Sequence, residues 1–275
     1  MAGRFTMTLK SIAVAWKRTL LSYPHWRNPG SAFRFFLDSQ QRARSTGILT
    51  RFYMGQLPFY VRPVDWFAFE EVVLRQEYRF VAAPFRAGAP EVVVDLGANV
   101  GLFSLYVLSL WRSAEVHSVE ASPGTYGVLH RNQAANSEVN WHTYPYAVWG
   151  QEGEVSFEDS GISTSNRVVA DQPGARVPAI TLDALYSTYI HRPTVSLLKM
   201  DIEGAEEIVL QSSTRSLARI ENLVVEVHPE HCDQDRVVWL LRSSFEYLYQ
   251  AADRLSSKPM LLACRRRQSL PVCSL

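Results

Sequence analysis

Val92-Val93-Val94-Asp95-Leu96-Gly97-Ala98-Asn99-Val100-Gly101 decides the fold. Three β-branched residues read as a buried strand, and an acid closes it. Two glycines four apart follow, and Leu102-Phe103-Ser104-Leu105-Tyr106-Val107-Leu108 opens a helix. Strand, glycine turn and helix in that order make a nucleotide-binding unit. The dinucleotide fingerprint G-x-G-x-x-G would aim a helix N-terminus at a pyrophosphate. Here the spacing is Gly97-x-x-x-Gly101, with Asp95 at the mouth of the turn. A carboxylate there repels a pyrophosphate and suits a cationic ligand. S-adenosylmethionine (SAM) fits, having an ammonium, a sulfonium and no phosphate. Gly97 would let the backbone approach it with no Cβ in the way. A plain strand-turn-helix with a packing glycine is the simpler alternative.

Glu115-Val116-His117-Ser118-Val119-Glu120 is a second short strand ending in an acid, 25 residues beyond Asp95. An acid about 20 residues past the glycine turn, at a strand tip, can accept hydrogen bonds from both ribose hydroxyls. Ala121 and Ser122 follow it, and Ser122-Pro123 turns the chain into the next helix. From Glu91 onward strands alternate with helical patterns, the signature of a parallel sheet with crossover helices. Strands are expected at 91–95, 115–119, 139–144, 195–200, 222–227, 245–250 and 259–264. The segment 147–182 breaks the alternation and reads as an inserted β-excursion with a loop at Ser160–Asn166.

The chain has 275 residues, 47% hydrophobic and 20% charged, enough for one large core and an appendage. No apolar run reaches the ~18 residues of a membrane span, and no signal-peptide pattern is evident. Cys232, Cys264 and Cys273 have neither disulfide-framework nor zinc spacing, so a cytoplasmic location with reduced thiols is expected. Residues 1–50 carry eight basic residues and one acid, so the arm is +7 and the remainder −6.

Residues 1–46 are read as a basic helical arm, 47–90 as a hairpin and helix leading into the core, and 91–275 as the main domain. A helix is expected over 7–21 with Leu9, Ile12, Ala13, Trp16 and Leu20 on one face. A second is expected from Ser31 to about Arg44, and a hairpin over 48–62 turning at Met54-Gly55-Gln56. The arm suits packing on the catalytic domain, a homodimer, or peripheral contact with a membrane surface. Nucleic acid is not an expected partner, since no nucleic-acid motif accompanies the basic residues.

Leu197-Leu198-Lys199-Met200-Asp201-Ile202-Glu203-Gly204-Ala205-Glu206 is a strand ending in Lys-x-Asp-x-Glu-Gly. In an open parallel sheet the ligand sits beyond the strands' C-terminal ends. Asp201 and Glu203 are therefore expected beside the Asp95 turn, with Glu226 and His228 of Glu226-Val227-His228-Pro229 at the same edge. With Val94–Gly101, Val119–Pro123 and Thr181-Leu182-Asp183, these motifs resemble the FkbM family of SAM-dependent methyltransferases over roughly residues 50–250. The resemblance implies a Rossmann-like, seven-stranded, mostly parallel sheet with its last strand antiparallel. It also implies methyl transfer to a hydroxyl of a small molecule or glycan, of sugar or polyketide type. Asp95, Gly97, Ala98, Asn99, Gly101, Glu120, Ala121 and Ser122 fall in its cofactor-binding segments, and Lys199, Asp201 and Glu203 in its central motif.

Methyl transfer from a sulfonium is an in-line displacement in which the enzyme mainly positions the partners. An alcohol must also lose its proton, to a base or through acidification by a metal. His228 has the most suitable ordinary pKa. Asp201 and Glu203 are alternatives, as bases or as holders of a divalent ion, and Lys199 could orient a carboxylate or stabilise an alkoxide. Asp201 and His228 are expected to flank the acceptor hydroxyl. Glu206 and Glu207 read as a solvated helix start favoured by the macrodipole. The motifs of amine methylation and cytosine C5 methylation are absent, which favours oxygen. A non-catalytic SAM-binding scaffold and a nicotinamide-dependent dehydrogenase are the competing readings.

Overall fold

The computed structural model describes residues 9–23, 25–40, 49–158, 167–169, 175–251, 258–268 and 273–274. It opens with helices α1 (Leu9–Leu21) and α2 (Pro29–Gln40), then a hairpin of β1 (Thr50–Met54) and β2 (Leu57–Val61). The second helix begins earlier than expected because Asn28, not Ser31, caps it: Asn28 Oδ1 accepts from the Ser31 amide at 3.1 Å. The hairpin pairs Met54 with Leu57, leaving Gly55-Gln56 as the turn. A helical path follows, from a 3₁₀ turn at Pro63–Asp65 through α3 (Trp66–Phe69) into a π-turn at Glu70–Leu74. Asp65 fixes its start by accepting from the Arg62 amide and guanidinium, both at 2.7 Å.

The helical segment at the N-terminus is not a free appendage. Phe35 and Phe36 of α2 are buried against Phe52, Phe69 and Trp66, with ring centroids 5.2–6.1 Å apart. The first helix, in contrast, packs through small residues, Ala15 and Thr19. That rotates the expected apolar face outward, so Trp16, Leu20, Leu21 and Tyr23 are 48–69% exposed.

The core runs β3 (Val92–Leu96), α4 (Leu102–Leu110), β4 (Glu115–Val119), α5 (Pro123–Ala134) and β5 (Trp141–Tyr144). A smaller four-stranded sheet follows, of β6 (Ala147–Val148), β7 (Gly153–Glu158), β8 (Arg167–Val169) and β9 (Ala175–Ile180), in the order β6-β9-β7-β8. The loop expected at Ser160–Asn166 lies outside the described residues. The chain then re-enters the core as α6 (Leu182–Tyr189), β10 (Leu197–Met200), α7 (Glu206–Ser212), α8 (Thr214–Leu217), β11 (Asn222–Glu226), α9 (Gln234–Ser244), β12 (Tyr247–Gln250), β13 (Met260–Cys264) and β14 (Cys273–Ser274).

The main sheet has the order β14-β12-β13-β11-β10-β3-β4-β5. Strand β13 runs antiparallel to both β11 and β12, while β11, β10, β3, β4 and β5 are parallel to one another. This is the expected seven-stranded sheet with its last strand reversed, plus the two-residue β14 at one edge.

Both faces of β3 are buried, which explains its unbroken apolar run. Val93 points into the core shared with the hairpin, α2 and α4. Val92, Val94 and Leu96 point the other way, into the core under α6, α7 and α9. From β3 the chain winds outward through β4 and β5, then returns to lay β10 on the other side. The crevice between β3 and β10 is thus the switch point where open α/β sheets bind ligands. No helix among the described residues is long and apolar enough to cross a membrane.

Candidate active site

Parallel register brings the motifs to one edge. Lys199 pairs with Asp95, Met200 with Leu96, and Leu96 with Val119. The residues just past these pairs, Asp201, Gly97 and Glu120, therefore leave the sheet at one level. The Gly97 and Ala98 amides donate to Val119 O at 3.0 and 2.9 Å, and the Asp201 amide to Leu96 O at 3.1 Å. Gly97 has φ +71°, and a Cβ there would lie 1.8 Å from the Asp201 carbonyl oxygen. Its missing side chain thus makes room for the neighbouring loop that carries Asp201.

Asp95 departs from the expectation. It lies beneath the turn, fully buried, not at its mouth. Ser104 Oγ donates to its Oδ2 at 2.7 Å, and Lys199 Nζ sits 3.2 Å from its Oδ1. Lys199 is also buried. It donates to Gly97 O at 2.9 Å and lies 3.5 Å from Asp201 Oδ2. Burial would lower the Lys199 pKa, but Asp95 and Asp201 outweigh it and the net shift is upward. This lysine ties the glycine turn to the β10 loop; it is too enclosed to meet an acceptor alkoxide.

Glu120 stands just past the end of β4, beside the glycine turn. Its Oε2 accepts from the Asn99 amide at 2.9 Å and its Oε1 from the Ser122 amide at 2.8 Å. Each oxygen keeps a lone pair for a hydroxyl, so the carboxylate fits the cofactor expected there. Desolvation raises its pKa to about 7. Ser122 caps α5, its Oγ accepting from the Thr125 amide. Ala121 is partly buried beside the small sheet.

The other half of the site is a cluster around His228. This side chain is fully buried at the end of β11. Its Nδ1 is 2.8 Å from Glu206 Oε1. Its Nε2 lies 3.1 Å from Glu203 Oε2 and 3.7 Å from Asp201 Oδ1, yet forms no hydrogen bond of good geometry. Burial would lower the His228 pKa, but Glu203, Glu206 and Asp201 outweigh it and push it up to about 10. Asp201 is shifted down: burial opposes this, and Lys199 and His228 prevail.

Asp201 and His228 do share the sheet edge, but the His228 ring is enclosed by carboxylates, Glu206 at Nδ1 and Glu203 and Asp201 at Nε2. Glu206 corrects the sequence reading outright. It is fully buried, and its Oε1 also accepts from the Ile202 and Gly204 amides at 3.3 and 3.2 Å. Glu206 therefore holds the loop that carries Asp201 and Glu203. Glu203 has φ +51°, an unfavourable conformation for a residue with a side chain, of the kind concentrated at functional sites.

Two contributors escaped the sequence reading. Lys258, just before β13, lies 3.3 Å from Glu203 Oε2, and only the antiparallel pairing of β13 with β11 brings it there. Glu206 was signalled by its place in the Lys-x-Asp-x-Glu-Gly-x-Glu run. Thr181 and Asp183 serve the scaffold: Thr181 caps α6, and Asp183 accepts from the Ser216 amide and hydroxyl.

The hexuronic acid methyltransferase AglP of Haloferax volcanii is 28% identical over 142 residues, covering 50% of this chain and 56% of that protein. The methyltransferase sdnD of Sordaria araneosa is 44% identical over 48 residues, 18% of each chain. The matches thus span about half or less of these relatives' lengths. Among solved structures, a precorrin-6y C5,15-methyltransferase from Geobacter metallireducens GS-15 gives a TM-score of 0.45 at 11% identity, covering 70% of this chain and 89% of that one. A SAM-dependent methyltransferase from Agrobacterium tumefaciens gives 0.43 at 12%, covering 82% and 72%. Residues 95–255, more than half of the chain, match the methyltransferase FkbM domain, and the protein belongs to that family.

Proposed function

We propose that this protein is a SAM-dependent O-methyltransferase acting on a hydroxyl of a small molecule or glycan. One observation carries the reading: the carboxylates of Asp201 and Glu203 lie at the same sheet edge as the Gly97–Gly101 turn and Glu120. In this reading Glu120 accepts the ribose hydroxyls and the turn with Asn99 borders the cofactor. The acceptor oxygen attacks the methyl carbon in line, the carbon–sulfur electron pair stays on sulfur, and the hydroxyl proton leaves toward Asp201 or Glu203. His228 holds those two carboxylates in place. The similarity to the Haloferax hexuronic acid methyltransferase favours a sugar-acid acceptor.

Incubation with methyl-labelled SAM and a panel of hydroxylated acceptors, uronic acid glycosides included, tests this. The expected product carries the label on oxygen. Label on nitrogen or carbon, or cofactor binding without transfer to any member, would favour another chemistry or the scaffold reading.

We also infer that α1 rests on an anionic membrane surface. Its exposed Trp16, Leu20 and Leu21 are accompanied by exposed Lys10 and Lys17, and the helix has no acid. Vesicles containing phosphatidylglycerol should sediment the protein, and Trp16→Ala with Leu20→Ala should weaken this several-fold. Equal sedimentation would remove the idea.

A further inference from the structure

We propose that His228, Asp201 and Glu203 form a divalent-cation site that activates the acceptor hydroxyl. The inference rests on the O-methyltransferase reading above and deepens it. One ligand atom from each residue lies within 4.8 Å of the others, close enough for all three to meet one ion. Clustered carboxylates alone would not suffice. The deciding feature is the His228 ring, which is fully buried and directs an Nε2 without a hydrogen bond between the two carboxylates.

The other ring nitrogen makes the case stronger. Nδ1 is 2.8 Å from Glu206 Oε1, and Glu206 is itself fully buried. An imidazole that binds a metal through one nitrogen almost always donates the other N–H to such a carboxylate, which fixes the tautomer and ring orientation. Glu206 also braces the backbone at Ile202 and Gly204, so one side chain orients all three ligands. The left-handed conformation of Glu203 is held by the same brace.

One imidazole and two carboxylates suit a Mn²⁺- or Mg²⁺-like ion, which keeps further positions for water and an acceptor oxygen. A hydroxyl bound there becomes more acidic. Its oxygen forms the bond to the methyl carbon, the carbon–sulfur pair stays on sulfur, and the proton leaves by way of a second oxygen of Asp201 or Glu203 to solvent. Lys199 and Lys258 flank the carboxylates at 3.5 and 3.3 Å, and this limits the net negative charge the ion must meet.

Mn²⁺ titrated into the chelator-treated full-length protein, followed by the loss of the free-ion EPR signal, tests the site. Isothermal titration with S-adenosylhomocysteine reports separately on the cofactor site. The account predicts about one Mn²⁺ per chain. His228→Ala and Glu203→Gln should abolish it, and Glu206→Gln should weaken it roughly 10–100-fold, all with S-adenosylhomocysteine still bound. Absence of Mn²⁺ binding up to millimolar levels, with S-adenosylhomocysteine bound normally, would overturn the site and leave a buried ion-pair network. Binding that all three variants retain would place the ion elsewhere and overturn it equally. Loss of S-adenosylhomocysteine binding by the wild type would instead strike the methyltransferase reading itself.

Discussion

The two ends of the main sheet are built on opposite principles. At the end where β10 and β11 begin, Arg265, Asn222 and Ser196 all find partners. Arg265 donates to the carbonyls of Leu217, Ile220 and Ser244 at 2.7, 2.8 and 3.2 Å. Asn222 donates to Ser196 O, and Ser196 Oγ accepts from the Glu91 amide. A cavity of about 360 Å³ opens there, but these lining groups already have partners. At the other end, the same strands finish in Asp201, Glu203 and His228, whose charges compensate one another while a buried ring nitrogen still lacks a hydrogen bond. One end closes the fold. The other keeps charge concentrated and incompletely satisfied, as a site for chemistry requires.

This contrast can be broken by mutation. The largest effect should follow from Asp201→Asn, which removes the charge that the proposed mechanism places next to the acceptor. Turnover should drop by about 10²–10⁴-fold in a methyl-transfer assay, and the unfolding midpoint should fall as well, because Lys199 and His228 lose a charged partner. Lys199→Met acts chiefly on stability. It strands a fully buried Asp95, and breaking such a pair costs about 3–5 kcal/mol, readable by urea denaturation. At the opposite end, Arg265→Ala should cost about 1–3 kcal/mol by freeing backbone carbonyls, with kcat unchanged. A fall in kcat there equal to that of Asp201→Asn would erase the distinction between the two ends.

The smallest effect is a pH dependence. Desolvation raises the Glu120 pKa from 4.5 to about 7, so between those values the folded chain keeps a proton that the unfolded chain has lost. Stability without cofactor should therefore fall as pH rises through that window. Glu120→Gln should flatten this component in denaturation curves taken from pH 4.5 to 7.5.

What the sequence made legible was local or periodic. The Val92–Gly101 run, the Glu120 spacing and the Lys199–Glu206 run each carry their geometry in neighbouring residues, and sheet register assembles them. What stayed hidden depended on contacts distant in sequence. Glu206 had an adequate local explanation at a helix start; its real partner, His228, lies 22 residues further on. Asp95 read as a mouth residue because nothing local shows that Lys199, across the sheet, covers it. The buried face of α1 was misplaced because large apolar residues outweighed Ala15 and Thr19, the small ones that let α1 approach α2 closely.

The central claim is that cofactor and chemistry belong to one end of the sheet. Isothermal titration of S-adenosylhomocysteine into the wild type, Glu120→Ala and Arg265→Ala tests it most directly. The account predicts equal affinity for the wild type and Arg265→Ala. For Glu120→Ala it predicts a loss of about 100-fold, the worth of two hydrogen bonds to a charged acceptor at about 1.5 kcal/mol each. A wild type that does not bind, or a Glu120→Ala variant that binds as tightly as the wild type, would contradict it.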